Sequence, residues 1–292
     1  MEVIRLYPEC VKCLLGKQLE RCPKDAPLEK QVEYIQKVLR IVADAPQNTS
    51  APVLVRSMYD LQKEMFGIYA DYTEIKSYFN KMMLRLETEL WSDICNADDP
   101  LKRAVQYAIT GNYIDFAALK NVEESTLLAF LEKTKDIDVD EHELSALKEE
   151  LINGGNLVYL LDNCGEIVTD KLLMRLIKET YPNIQITAMV RGGQVMNDAT
   201  REDAREVALE KIATITDSGS NIAGTSLEEI SDDARNIIET ADLLIAKGQG
   251  NFETLHQCGK NIYYIFMCKC KMFMERFKLP QFSGVLINEK HI

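Results

Sequence analysis

The sequence contains no apolar run approaching the roughly 20 residues that a membrane-spanning helix needs, so a membrane protein is not expected. Its start, MEVIRLYPEC, lacks the basic-then-apolar shape of a secretory signal. Positive charge is scarce as well: 34 basic residues face 46 acidic ones, a net charge of −12. That deficit argues against nonspecific binding to nucleic acid or to an anionic membrane. It does not exclude a small anionic substrate, which needs only local positive charge. There is no internal repeat and no low-complexity linker, so the halves of the chain are expected to pack closely. What is present is 292 residues with 46% apolar content, enough for one large domain or two small ones around a real core. Eight cysteines without a secretion signal point to reduced thiols and a cytoplasmic location, not a disulfide framework.

Residues 1–153 read as an all-helical domain. Apolar residues recur at helical spacing after Pro8, after Pro27, after Ala51-Pro52 and from about Asp71 to Asn96, where Ile75, Phe79, Met82, Met83, Leu86 and Leu90 are expected to face inward. Asp98-Asp99-Pro100 is a helix start, and that helix ends at Gly111. Gly111-Asn112 is ordinary helix-ending chemistry; the functional alternative has Asn112 and Asp115 reaching a site from the helical side. Two more helices follow, over 122–133 and 140–152.

Residues 154–292 alternate strand and helix, the pattern of a mainly parallel sheet with right-handed crossovers, a Rossmann-like three-layer α/β/α domain. Strands are expected over 156–161, 184–190, 213–216, 242–246, 262–266 and 285–287. Ser226 with Glu229 has the spacing of a capping box that opens a helix running toward Thr240. The first strand, LVYLL, runs into Asp162-Asn163-Cys164-Gly165-Glu166. Taken alone, Asp-Asn before a helix is also an ordinary turn and N-cap. The next three strands end in Arg191 to Asp198, Asp217 to Ser220, and Lys247 to Asn251. In a parallel sheet these four ends share one edge, where α/β proteins bind ligands. Asp, Asn, Asp and Lys converging there suit a metal-dependent phosphate site. Carboxylate and amide oxygens hold a divalent cation, while lysine and backbone N–H groups hold phosphate oxygens.

The stretches Asp162-Asn163-Cys164-Gly165-Glu166, Asn197-Asp198 and Lys247-Gly248-Gln249-Gly250-Asn251-Phe252-Glu253 resemble the motifs of the damage-control phosphatase family, long called domain of unknown function eighty-nine or acidic-residue methyltransferase 1-like. Gly111-Asn112-x-Ile114-Asp115 is similar to another family motif, and Cys10-x-x-Cys13 with Lys269-Cys270 is similar to its prokaryotic branch. The resemblance implies a divalent-metal-dependent phosphatase of small phosphate esters such as sugar phosphates or damaged phosphometabolites. It implies Asp162, Asn163 and Asp198 as ligands to manganese, magnesium, cobalt or nickel. Lys247 would contact phosphate, with Asn251 and Glu253 nearby. The family has also been assigned S-adenosylmethionine-dependent carboxyl methyl transfer, yet no GxGxG-type loop follows the first strand. A non-catalytic metal- or metabolite-binding module is the third alternative.

In the phosphatase reading a water attacks phosphorus in line, and Asp198, Glu166 and Asp217 are candidates to accept its proton. Asp162 as a nucleophile is the covalent alternative. Cys164 is expected to fill space. Arg191 and Arg201 are candidates for extra phosphate contacts, with a solvated arginine the expectation for each, and His256 is expected to be structural. Cys10 and Cys13, with Cys270 and Cys268 from the far end of the chain, have the residue types for a second metal site.

Overall fold

The computed structural model describes residues 6–67, 71–114 and 124–292. Proline sits in the first turn of α1 (Pro8–Arg21), α3 (Ala51–Phe66) and α5 (Pro100–Gly111), where its missing N–H costs nothing. Asp99 caps α5 by accepting from the Lys102 N–H. Between and after these lie α2 (Leu28–Ala43), α4 (Thr73–Asn96), α6 (Glu124–Glu132) and α7 (Glu141–Asn153), the last capped by Asp140. No described helix is long and apolar enough to cross a membrane.

The described strands form one six-stranded sheet in the order β3-β2-β1-β4-β5-β6. These are β1 (Gly155–Leu160), β2 (Ile184–Val190), β3 (Thr214–Asp217), β4 (Leu243–Lys247), β5 (Ile262–Met267) and β6 (Gly284–Asn288). Strands β1 to β5 are parallel, and β6 runs antiparallel along β5. The strand order reverses direction between β1 and β4, the topological switch point at which open α/β sheets bind ligands. Helices α8 (Glu166–Thr180), α9 (Arg201–Glu206), α10 (Asp232–Glu239), α11 (Gly248–Leu255) and α12 (Lys271–Phe277) make the crossovers and the turn into β6.

Alternation along the strands builds two cores. Leu157, Tyr159 and Leu161 pack with residues of α4, α5, α7 and α8 on one face. Val158 and Leu160 pack with Ala234, Ile238, Phe252 and Phe273 of α10, α11 and α12 on the other. The architecture is therefore the Rossmann-like α/β/α sandwich. Helix gives way to strand near residue 154, but the first core runs across that point, from α4 through β6. Helices α1 to α3 keep a cluster of their own, including Leu14, Tyr34, Val38, Leu54 and Met58.

Two local expectations need correction. Ile75 is exposed, and the buried stripe of α4 runs instead through Lys76, Phe79, Asn80, Met83, Leu90 and Ile94. The helix expected from Ser226 starts at Asp232, because the Ser226 carbonyl closes a turn with Glu229 and Ile230 while Ser231 supplies the cap to Ala234. Helix α9 is short, since Ala208 takes a left-handed conformation at φ 54° and ends it.

Candidate active site

Strand register fixes the site. Leu160 pairs with Met189 and with Ala246, and Val190 pairs with Asp217, so the carboxyl ends of β1 to β4 are level. Asp162 follows β1, Arg191 follows β2, and Lys247 closes β4. The loop after β2 folds back over the end of β1: Ala199 N–H donates to the Asp162 carbonyl at 2.7 Å and Cys164 N–H to the Asn197 carbonyl at 2.8 Å. Asn163 and Asp198 thus form a short antiparallel bridge.

Around that bridge the side chains make one buried network. Arg191 donates through Nε to Asp198 Oδ2 at 2.6 Å and through Nη2 to Asp162 Oδ1 at 3.2 Å. The expectation of a solvated Arg191 is wrong: the loop turns it inward, and its side chain is 1% exposed. Asn163 donates to Asp162 Oδ2 at 2.7 Å and to Glu166 Oε2 at 2.8 Å. Asn112, at the end of α5, reaches the same two carboxylates at 3.0–3.1 Å. Asp115 lies outside the described residues. Asn251 accepts from Arg191 and donates to the carbonyls of Leu161 and Lys247, tying the ends of β1 and β4 together.

Lys247 differs from expectation. It is fully buried and spends its three donors on the Ala108 carbonyl at 2.7 Å, Glu166 Oε1 at 2.6 Å and Asp170 Oδ1 at 3.0 Å. It therefore braces Glu166 from behind, with its donors turned to partners within the protein. Burial opposes its charge, but Asp170 and Glu166 outweigh burial and raise its pKa. Burial pushes Asp170 up to about 7, against the pull of Lys247. Glu253 turns toward the cysteines, where its charge acts on Cys10 and Cys270. Asp217 accepts from Arg201 and from the Gly219 N–H, apart from this network.

The two ends of the chain meet at the cysteines: Cys10 and Cys270 pack against the same apolar cluster, and both Cys13 and Cys270 act on the Cys10 thiol. Burial first, then Glu253, pushes the Cys10 thiol up to about 11, and Cys270 is raised as well, chiefly by burial. Cys268 and Cys164 are buried core residues. His256 stacks on Phe252 beside Glu289, a structural role.

Two glycines make the cluster sterically feasible. A Cβ on Gly248, at φ 78°, would stand 1.9 Å from Asp162 Oδ2, so only glycine lets the start of α11 approach that carboxylate. Gly165, at φ 67°, turns the chain into α8 and donates its N–H to Asn80 Oδ1 at 2.7 Å. The amino ends of α8 and α11 therefore both meet the cluster, and helix amino ends favour anions.

Asn80 and Asp170 escaped sequence reasoning, though both left a signal. Lys76 and Asn80 stand one turn apart on the apolar stripe of α4, where polar residues need partners; Lys76 pairs with Asp203 at 2.7 Å. Glu166 and Asp170 are like charges at i, i+4, unfavourable unless a cation such as Lys247 lies between.

A concavity of about 650 Å³ is lined by Ile184, Ile186, Ala213 and Ile215. It sits by the starts of β2 and β3, remote from every residue of the network. Chemistry, not size, marks the site at the other edge.

A doubly wound sheet with carboxylates, amides and a guanidinium gathered at its switch point defines an α/β protein with a charged cluster at the edge where such sheets bind ligands. The chain belongs to the Damage-control phosphatase ARMT1-like domain family, whose model matches residues 6–284. It is 32% identical, over 98% of this chain and 96% of the relative, to an uncharacterized protein of Methanocaldococcus jannaschii. It is 31% identical to a damage-control phosphatase of Archaeoglobus fulgidus, over 92% of this chain and 93% of the relative. The crystal structure of a DUF89 family protein from Pyrococcus horikoshii matches with a TM-score of 0.79, covering 97% of this chain and 99% of that one. At 24% identity that likeness speaks for the fold.

Proposed function

We propose that this chain hydrolyses small phosphate esters with a divalent cation held by Asp162, Asn163 and Asp198. The observation that carries the reading is the meeting of Asp162 and Asp198, from separate strand-end loops, around one guanidinium beside two helix amino ends. The relative named a damage-control phosphatase supports the reaction class. The donor set fits such a cation. Its oxygens are hard ligands. The directly paired network sets three carboxylates (Asp162, Asp198, Glu166) against two cations (Arg191, Lys247), with Asp170 kept largely protonated by burial. When bound, a divalent cation there polarises the phosphoryl group and lowers the pKa of water. Manganese, magnesium, cobalt and nickel all suit oxygen and amide donors of this kind.

The chain's own residues then divide the work. Arg191 takes the phosphate role first expected of Lys247, because it lies among the carboxylates and not behind them. N–H groups at the starts of α8 and α11 share the remaining negative charge. Asn112 and Lys247 act as positioning residues through Asp162 and Glu166, and Asn251 positions Arg191. Of the three candidate bases, Glu166 is committed to Lys247 and two amides and Asp217 to Arg201. Asp198, though paired with Arg191, lies within the cluster itself and is the candidate to accept the proton of the attacking water; attack by Asp162 itself is the covalent alternative. Near-complete burial of the cluster, with Asp162 7% exposed, suits a small substrate over a macromolecular one.

The test is phosphate release from p-nitrophenyl phosphate by metal-stripped protein, with and without added manganese, cobalt or nickel. Metal-dependent release that disappears in Asp162→Asn is expected. Undiminished release by a folded Asp162→Asn variant would sink the assignment. Consumption of S-adenosylmethionine without phosphate release would favour methyl transfer instead.

A further inference from the structure

The chain has three histidines, and two of them meet far from the carboxyl edge. His142 and Glu143 lie in the first turn of α7. His291 lies in the short 3-10 turn, Glu289–His291, that follows β6. One ligand atom from each of the three side chains lies within 4.8 Å of the others. His291 Nδ1 is 2.6 Å from Glu143 Oε1, and the two imidazole rings are 5.3 Å apart, inclined at 56°. Glu143 is buried, and its second oxygen accepts from the Asn288 N–H at 3.0 Å. Both histidines are exposed, so the cluster opens to solvent on the side opposite the carboxylate. Because β6 is antiparallel, its end at Asn288 stands opposite Tyr263, at the start of β5. The cluster is therefore near the amino edge of the sheet, away from Asp162.

A carboxylate–imidazole hydrogen bond accounts for Glu143 and His291. It does not account for the second imidazole turned onto the same point. Two imidazoles and one carboxylate are the donor set of a borderline transition-metal ion, with remaining positions left to water. The Asn288 N–H supplies the outer hydrogen bond that fixes the carboxylate's orientation, as such sites require.

We infer that His142, Glu143 and His291 form a zinc-type divalent metal site that fastens the end of β6 to the first turn of α7. The site is structural. It is independent of the proposed phosphatase centre, which offers oxygen ligands and no imidazole. Metal bound there stabilises the folded chain through mass action, since it needs residues that only folding brings together.

The test uses untagged protein, metal-stripped and labelled with nitrogen-15 at histidine, titrated with zinc while the imidazole resonances are followed. His142 and His291 are expected to shift together and saturate with one equivalent, while His256 stays fixed. Glu143→Gln, which keeps a hydrogen-bonding side chain, is expected to weaken zinc about tenfold or more. The same titration in Asp162→Asn should be unchanged, which separates this site from the phosphatase centre. The inference is overturned if His142 and His291 shift at different zinc concentrations, if only one of them shifts, or if Glu143→Gln binds zinc as wild type does. Melting curves of metal-free variants, which should match the metal-free wild type, confirm that the substitutions leave the fold intact.

Discussion

Helices α1 to α3 and helices α4 to α5 read alike in sequence, as amphipathic segments with similar apolar spacing, yet they relate to the site in opposite ways. Helix α4 sends Asn80 to the Gly165 N–H and Lys76 to Asp203, and α5 sends Asn112 to Asp162 and Glu166. These are buried polar contacts, which tolerate little displacement because an unpaired partner costs more than the bond itself contributes. Helices α1 to α3 close on their own apolar cluster and leave Leu28, Val32 and Leu39 exposed. They meet the site's surroundings where α3 packs against α11 and where Arg21 lies against Met196. Polar residues inside an apolar stripe, more than the stripe itself, tell a helix that builds a site from one that only covers it.

The sharpest way to break that contrast is at the site itself. Asp162→Asn is expected to reduce metal-dependent phosphate release by at least about 10²-fold with the near-ultraviolet circular dichroism unchanged. Gly248→Ala comes next. Its Cβ would displace the Asp162 carboxylate, 1.9 Å away, and misplacement on that scale costs on the order of 10²-fold in turnover. A Gly248→Ala enzyme with normal turnover would show that Asp162 need not lie against α11. Asn80→Ala tests whether α4 is part of the site. It leaves the Gly165 N–H, Asp203 and Glu206 without this amide, and should cost about 2–3 kcal/mol in urea unfolding and lower turnover as well. Loss of stability with turnover intact would make α4 mere support.

The layered fold and the shared edge were legible because periodicity and strand-end loops are local signals. Asp162, Asn163, Asp198 and Asn112 could be named for the same reason: each lies in a turn or loop that follows an element. What could not be read is the direction in which long side chains point. Lys247 and Arg191 both sit at strand ends, and sequence gives no reason to bury the one behind Glu166 and to set the other between two aspartates. That choice follows from depth. Lys247 is the last residue of β4 and points into the layer beneath α5, reaching the Ala108 carbonyl, whereas Arg191 follows β2 and turns back under the loop that carries Asp198. The separate core of α1 to α3 was hidden too, because amphipathic spacing does not say which helices share a core.

A smaller effect concerns pH. Burial disfavours the charge of Asp170 and pushes its pKa up from the ordinary 3.8 to about 7. Between those values the folded chain holds a proton that the unfolded chain has released. Its contribution to stability is therefore complete below 3.8 and is lost as pH rises through about 7. Asp170→Asn keeps an acceptor for Tyr159 and Lys247 but removes the titration. Its unfolding free energy should vary less with pH across that window than that of wild type. An identical pH profile in both proteins would show that Asp170 is ionised in the fold.

The smallest expected effect tests the other side of the comparison. Tyr34 is buried among α1 to α3, and its hydroxyl donates to Gln18 Oε1 at 2.6 Å. Tyr34→Phe leaves the ring in place and strands the buried Gln18 oxygen, at a cost of about 1 kcal/mol. If these helices form a unit that covers the site without building it, the cost should appear locally. Hydrogen exchange should quicken in α1 to α3 while α4, α5 and the strand-end loops keep wild-type protection, and phosphate release should be unchanged. Because α1 to α3 share one apolar cluster that the sheet does not enter, local opening is the cheaper route for them. Equal loss of protection at Asn80, Asn112 and Asp162 would show that the cluster and the site open as one, and the distinction between covering and building helices would fall.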